Sequence, residues 1–168
     1  MKPKDFVNKY LPYAKQAEEK TGMSAVAILA QAAIETGWAE VVFGNMMFGQ
    51  KDFDGINGNE QLLTTTEYSR RSDLKFPVII SVKPVVINGR PMFKYKVKDY
   101  FRKYKTPEES FTDHANFILS NKRYSAALKV KSDPIKFLEE IAKAGYATDP
   151  NYASTLKKIV NMILPYCK

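Results

Sequence analysis

Residues 24–38, SAVAILAQAAIETGW, constrain the fold more than any other stretch of this chain. Ser24 is a strong N-cap, and between it and Glu35 only Gln31 is polar, with no Gly or Pro before Gly37. A helix apolar on nearly all sides is a buried helix. Glu35 is the one ionisable group in the run and stands in its last turn. There the negative end of the helix dipole and partial burial both disfavour a carboxylate, so its pKa is predicted to rise.

A carboxylic acid that stays protonated near neutral pH can give its proton to a leaving-group oxygen, as the general acid of glycoside cleavage must. The plainer alternative is a Glu that closes a helix end and faces water. If Glu35 is an acid, a second group is needed to stabilise charge at the sugar carbon or to activate water. Glu67, at the end of a predicted strand, is the first candidate for the base; Asp52, Asp54 and Glu60 in nearby loops compete with it. A glycoside whose own substituent can attack the sugar carbon would need no second carboxylate. Tyrosine and tryptophan faces suit the apolar face of a sugar ring.

With 168 residues, 45% of them hydrophobic and 26% charged, one compact domain over 1–168 is expected, its β lobe at about 60–104. No apolar run approaches the ~20 residues of a membrane span, and the opening MKPKD lacks the apolar stretch of a signal peptide. Cys167 is the only cysteine and has no internal disulfide partner. A single histidine, His114, argues against a His-rich metal site and is read as structural; no metal and no cofactor are expected.

The net charge of +8 is unevenly spread: residues 83–105 hold eight basic residues and one acidic, Asp99. Lys94, Lys96 and Lys98 alternate with Phe93, Tyr95 and Val97, the period of a strand with an apolar inner and a cationic outer face. That face should seek polyanions: wall polymers bearing carboxylates or phosphates fit, and so does nucleic acid. Lysines that merely keep a sheet edge solvated are the alternative.

Along the chain, helices are predicted at 3–10 and 12–20, divided by Pro12, and then over the buried run. Strands are predicted at 62–68, 78–87 and 92–97, the last two joined by an Asn88-Gly89 hairpin turn. Thr106-Pro107-Glu108-Glu109 forms a capping box for a helix to about Ser120; further helices open at Ser132-Asp133-Pro134 and Asp149-Pro150.

The string AQAAIETGWAEVVFGNMMFGQK, residues 30–51, resembles the glucosaminidase family of peptidoglycan hydrolases, flagellar muramidase-like proteins and autolysins among them. Later blocks agree in order: Thr66-Glu67-Tyr68, YFRKY at 100–104, ESFTDH at 109–114 and GYATDPNY at 145–152. Ala39 stands where the family pattern has Gly, Gln50 replaces an apolar residue, and 72–88 is longer than usual.

The resemblance implies an α+β, mostly helical, lysozyme-like fold of two lobes, a small antiparallel β-hairpin lobe bordering a cleft. It also implies an endo-β-N-acetylglucosaminidase with Glu35 and Glu67 as catalytic residues. Tyr146 and Tyr152 would meet the acetamido sugar, with Trp38, Asn45, Phe48 and Tyr68 also at the substrate. The expected partners are peptidoglycan glycan strands, with anionic wall polymers at Lys94, Lys96 and Lys98; neither nucleic acid nor membrane is expected, and the chain is expected to be a monomer acting on the cell wall. A muramidase or lytic transglycosylase on the same polymer is the nearest alternative. From another class comes a non-catalytic basic module binding wall or nucleic acid.

Overall fold

In the computed structural model, which describes residues 1–168, the chain opens with helix α1, Pro3–Thr21. Its buried positions Phe6, Val7, Tyr10, Ala14 and Ala17 recur at helical spacing. The two pieces expected on either side of Pro12 are one helix. Pro12 lies on the exposed face beside exposed Asn8, whose carbonyl loses its N–H partner but keeps water, while the buried stripe holds both halves to one core. Gly22 closes α1 at φ 75°, its N–H donating to Glu18 O at 2.7 Å.

Helix α2, Ala25–Thr36, begins as the Ser24 cap requires: Ser24 Oγ accepts from the Ala27 N–H at 3.3 Å. The Glu18 carboxylate adds a second cap, accepting from the Ala25 N–H at 2.5 Å where the helix dipole is positive. Residues 27–33 are all buried, and α2 packs against α1 and two later helices. Ile28 and Leu29 have no exposed surface, which contributes roughly 1.5–3 kcal/mol apiece. Alanines at 27, 30, 32 and 33 let the neighbouring helices approach closely.

The remaining helices are α3, Pro107–Ser120; α4, Ser125–Leu128; α5, Pro134–Lys143; and α6, Tyr152–Ile163. Thr106 Oγ1 accepts from the Glu109 N–H at 3.5 Å, and the Glu109 carboxylate returns to the Lys105 N–H at 2.9 Å, one residue earlier than a capping box would place it. The short turn at 122–128 is too brief to leave a periodic signal in the sequence. Residues Met1–Phe48 and Tyr104–Lys168 form one compact unit, and Gly49–Lys103 forms another.

The second unit is built on strands β1, Glu60–Ser69; β2, Val78–Ile87; and β3, Arg90–Arg102. The order is β1-β3-β2, antiparallel throughout. Asn88 at φ 50° and Gly89 at φ 75° make the left-handed pair that a two-residue hairpin turn needs. β3 runs five residues beyond the expected end at 97, because pairing with β1 continues to Arg102 after the alternation of side chains fades. Pro84 is tolerated because β2 is an edge strand. Tyr95 and Val97 are fully buried on one face, and Lys94, Lys96 and Lys98 are exposed on the other, as the period of two requires. The protein is α+β and mostly helical, with one small antiparallel sheet. No helix is long and apolar enough to cross a membrane.

Candidate active site around Glu35

The end of α2 is held from both sides. Gly37 takes φ 56° and its N–H reaches Ala33 O and Ile34 O, while the Trp38 N–H donates to Ala33 O at 2.8 Å. Thr36 Oγ1 donates to Ala32 O at 2.6 Å and accepts from the Ala39 N–H at 2.8 Å. Trp38 and Ala39 continue in the left-handed region at φ 61° and 59°. A side chain there costs about 1–2 kcal/mol, which gives a physical reason for glycine at position 39 in the family pattern. Trp38 packs edge-on against Phe6, ring centres 5.5 Å apart, so its contact is with α1 and it anchors the turn that follows Glu35.

Glu35 is exposed by surface area, more so than the expected partial burial. Protein atoms crowding its inner side still strip enough hydration to raise its pKa, and desolvation is the cause. Gln31 lies one turn earlier on the same face of α2 and is completely buried. Its Oε1 lies 3.0 Å from His114 Nε2, and its Nε2 donates to Tyr152 Oη at 3.3 Å.

Tyr152 opens α6, and Tyr146 follows the left-handed Gly145 that ends the α5 segment. The two rings stack at 5.6 Å and 21°. His114 meets the Tyr146 ring edge-on at 6.1 Å and stacks on Phe48 at 3.5 Å and 8°. Burial lowers the His114 pKa to about 3, so the ring is neutral. Burial raises Tyr152 to about 12, with the Glu35 charge adding to it. Tyr146 is also pushed up, by burial first and then by Tyr152, Glu35 and Tyr124. Both phenols therefore keep their protons beside an acid that keeps its own longer than usual.

Two residues expected at the substrate make packing and hydrogen-bond contacts within the helical unit. Phe48 is 4% exposed and is spent on its stacks with His114 and Phe111. The Asn45 side-chain amide donates to Tyr104 O at 3.0 Å and Lys105 O at 3.1 Å, tying the 44–48 loop to the segment before α3. Its own φ of 55° suits Asn, which tolerates the left-handed region.

In the sheet unit, Glu67 pairs across from Tyr95 and Tyr68 from Lys94, so these neighbours point to opposite faces. Glu67 is on the buried-aromatic face; Tyr68, half exposed, is on the lysine face, where Lys83 joins Lys94 across the β2–β3 ladder. Lys51 Nζ bridges Glu67 at 2.7 Å and Asp99 at 3.1 Å. Desolvation alone would lower the Lys51 pKa, but the hydrogen bonds and charges of the two carboxylates outweigh it and the net shift is upward. Glu60 accepts from the Asn57 and Gly58 N–H groups at 3.0 and 2.9 Å, and Asp52 from the Asp54 N–H at 3.0 Å, so these carboxylates shape their own loop.

Sequence reasoning does not single out Gln31, Tyr124, Lys51 or Asp99 as site residues, and it reads His114 as structural. A polar side chain four residues before Glu35, in an otherwise apolar helix, is the one signal that marks Gln31.

The family described as mannosyl-glycoprotein endo-beta-N-acetylglucosaminidase matches residues 11–164. The chain is 31% identical over 169 residues to the peptidoglycan hydrolase FlgJ of Pseudomonas aeruginosa, covering 96% of this chain and 37% of that protein. It is 30% identical to the peptidoglycan hydrolase FlgJ of Vibrio parahaemolyticus, covering 96% and 47%. It thus spans less than half the length of these relatives. The solved structure of a C-terminally truncated glycoside hydrolase domain from Salmonella typhimurium FlgJ superposes with a TM-score of 0.70 at 29% identity, covering 97% of this chain and 98% of that one.

Proposed function

This chain belongs to the glucosaminidase family, and from that premise we propose that it hydrolyses the glycan strand of peptidoglycan on the reducing side of N-acetylglucosamine. The observation that carries the proposal is Glu35: a carboxyl with a raised pKa, at the pinned end of a buried helix, beside two stacked, protonated tyrosines. The names of the relatives, peptidoglycan hydrolases, support the same polymer.

Glu35 gives its proton to the bridging oxygen as the bond from that oxygen to the sugar carbon breaks and positive charge builds on the ring. Glu67, held by Lys51, is the candidate base that takes a proton from the attacking water. The substrate's acetamido oxygen is the alternative nucleophile, oriented by Tyr146 and Tyr152. Trp38 keeps the Glu35 turn in place, and Asn45 and Phe48 support the loop and ring stack behind it. The exposed face bearing Tyr68, Lys94, Lys96 and Lys98 would meet anionic wall polymers, so the place of action is the cell wall.

Mass spectrometry of purified wall digested with the wild type and with Glu35→Gln tests the proposal. Reducing N-acetylglucosamine ends are expected from the wild type, and roughly 10²–10⁴-fold slower release from the variant, whose fold should be intact. Reducing N-acetylmuramic acid would identify a muramidase and an anhydro sugar a transglycosylase. Undiminished cleavage by Glu35→Gln would remove Glu35 from the chemistry.

A further inference from the structure

The hydrogen-bonded chain His114–Gln31–Tyr152 has a polarity, and that polarity decides what Tyr152 can offer. Gln31 is fully buried and His114 is 3% exposed, so neither has ready exchange with water. An amide between two partners has two orientations. In one, His114 donates from Nε2 to Gln31 Oε1 at 3.0 Å, and Gln31 Nε2 donates to Tyr152 Oη at 3.3 Å. The phenol's lone pair is then used inside and its proton is left for an acceptor outside the chain. With the amide turned end for end, His114 Nε2 accepts, Tyr152 spends its proton on Gln31 Oε1, and the phenol offers only lone pairs.

We propose that Gln31 and His114 are positioning residues which, through the Nε2–H tautomer of His114, hold Tyr152 as a hydrogen-bond donor to the substrate beside Glu35. The inference deepens the assignment of Glu35 as the acid and rests on it. Gln31 and Glu35 stand one turn apart on one face of α2, the first buried and the second exposed. Gln31 therefore takes the inner side of the phenol, while the Glu35 carboxyl stands at the outer end of the same face. A phenol whose lone pair is taken up by Gln31 Nε2 has its proton free to turn outward, and a sugar's acetamido carbonyl oxygen is an acceptor in need of a donor. The stack of His114 on Phe48 fixes the ring plane, and burial keeps the ring neutral, so one tautomer sets the direction of the whole chain. A buried network of this kind acts as a unit.

His114 is the only histidine, so a long-range ¹H–¹⁵N correlation spectrum of the labelled wild-type protein reads its tautomer without further assignment. A neutral Nε2–H imidazole at neutral pH is expected. An Nδ1–H tautomer or an imidazolium there overturns the proposal. The functional half is a double-mutant cycle on wall hydrolysis with Gln31→Leu and Tyr152→Phe. Gln31→Leu alone should lower kcat/KM about tenfold, and less than about twofold when Tyr152 is already Phe, because both changes act on the same hydrogen bond from the Tyr152 hydroxyl to substrate, one by removing its orientation and the other by removing the hydroxyl. Equal losses in both backgrounds would make Gln31 a packing residue only and sink the idea, as would full activity of Tyr152→Phe. If Gln31→Leu does not fold, Gln31→Met, closer in volume and equally without a donor, takes its place. Failure of the Glu35 assignment shows separately, as retained activity in Glu35→Gln with the tautomer unchanged.

Discussion

Replacing His114 by Gln removes a titrating group while leaving an N–H donor within reach of Gln31. In the folded protein burial holds the ring neutral down to about pH 3, whereas an unfolded histidine takes up a proton below about pH 6.5. The folded pKa lies below the unfolded one, so the residue's contribution to stability is complete above about pH 6.5 and declines as the pH falls towards 3. Each tenfold difference in proton affinity between the unfolded and the folded ring is worth ~1.36 kcal/mol, so the wild type should lose roughly 2.5 kcal/mol through this one group between about pH 7 and about pH 4.5. Carboxylates add slopes of their own, so the decisive quantity is a difference between proteins. His114→Gln should lose about 2.5 kcal/mol less than the wild type over that interval, whatever constant offset the substitution brings. Urea unfolding at the two pH values, followed by the fluorescence of Trp38 and by circular dichroism, measures it. In melts of a chain this long the same difference amounts to about 5–10 °C. Stability curves that run parallel within ~0.5 kcal/mol would mean that the ring is hydrated or already charged in the fold, and would refute the reasoning from its burial.

Lys51→Met should leave Glu67 and Asp99 facing each other without their shared cation and destabilise the protein by about 1 kcal/mol at low salt, less at high salt. Denaturant curves at two ionic strengths check this, and no difference would mean the bridge is energetically idle. Ala39→Gly relieves a left-handed side chain at φ 59° and should raise stability by about 0.5 kcal/mol after the entropy glycine loses on folding; a lower melting temperature would contradict it. Changing Lys94, Lys96 and Lys98 together to Gln should weaken co-sedimentation with purified wall at low salt more than at high salt. Binding indifferent to both would leave these lysines as solvated surface.

Local signals carried much of the architecture. Ser24 and Gly37 bracket α2 because capping chemistry is settled within a few residues of each helix end. Asn88-Gly89 marks the hairpin because few other pairs accept two left-handed conformations. The lysine stripe on β3 follows from alternation alone. Where competing forces were not local, expectation and structure part. Pro12 does not break α1, since a buried stripe on the far side of the helix outweighs one missing hydrogen bond on the wet side. β3 extends to Arg102 because its partner strand continues, which nothing in 98–102 announces.

The same division runs through the site. From the order of residues alone follow a buried helix and an acid at its end with reason to hold its proton; the family resemblance adds the tyrosines of GYATDPNY as its expected companions. Folding then brought His114 and Tyr152, 83 and 121 positions further along the chain, onto the two ends of the Gln31 amide. It also drew Phe48 into the core against an imidazole. Helix caps, turns and alternation depend on neighbours a few bonds away and can be read in order along a chain. Which buried polar groups find each other depends on how separate helices pack, and that is written only in three dimensions.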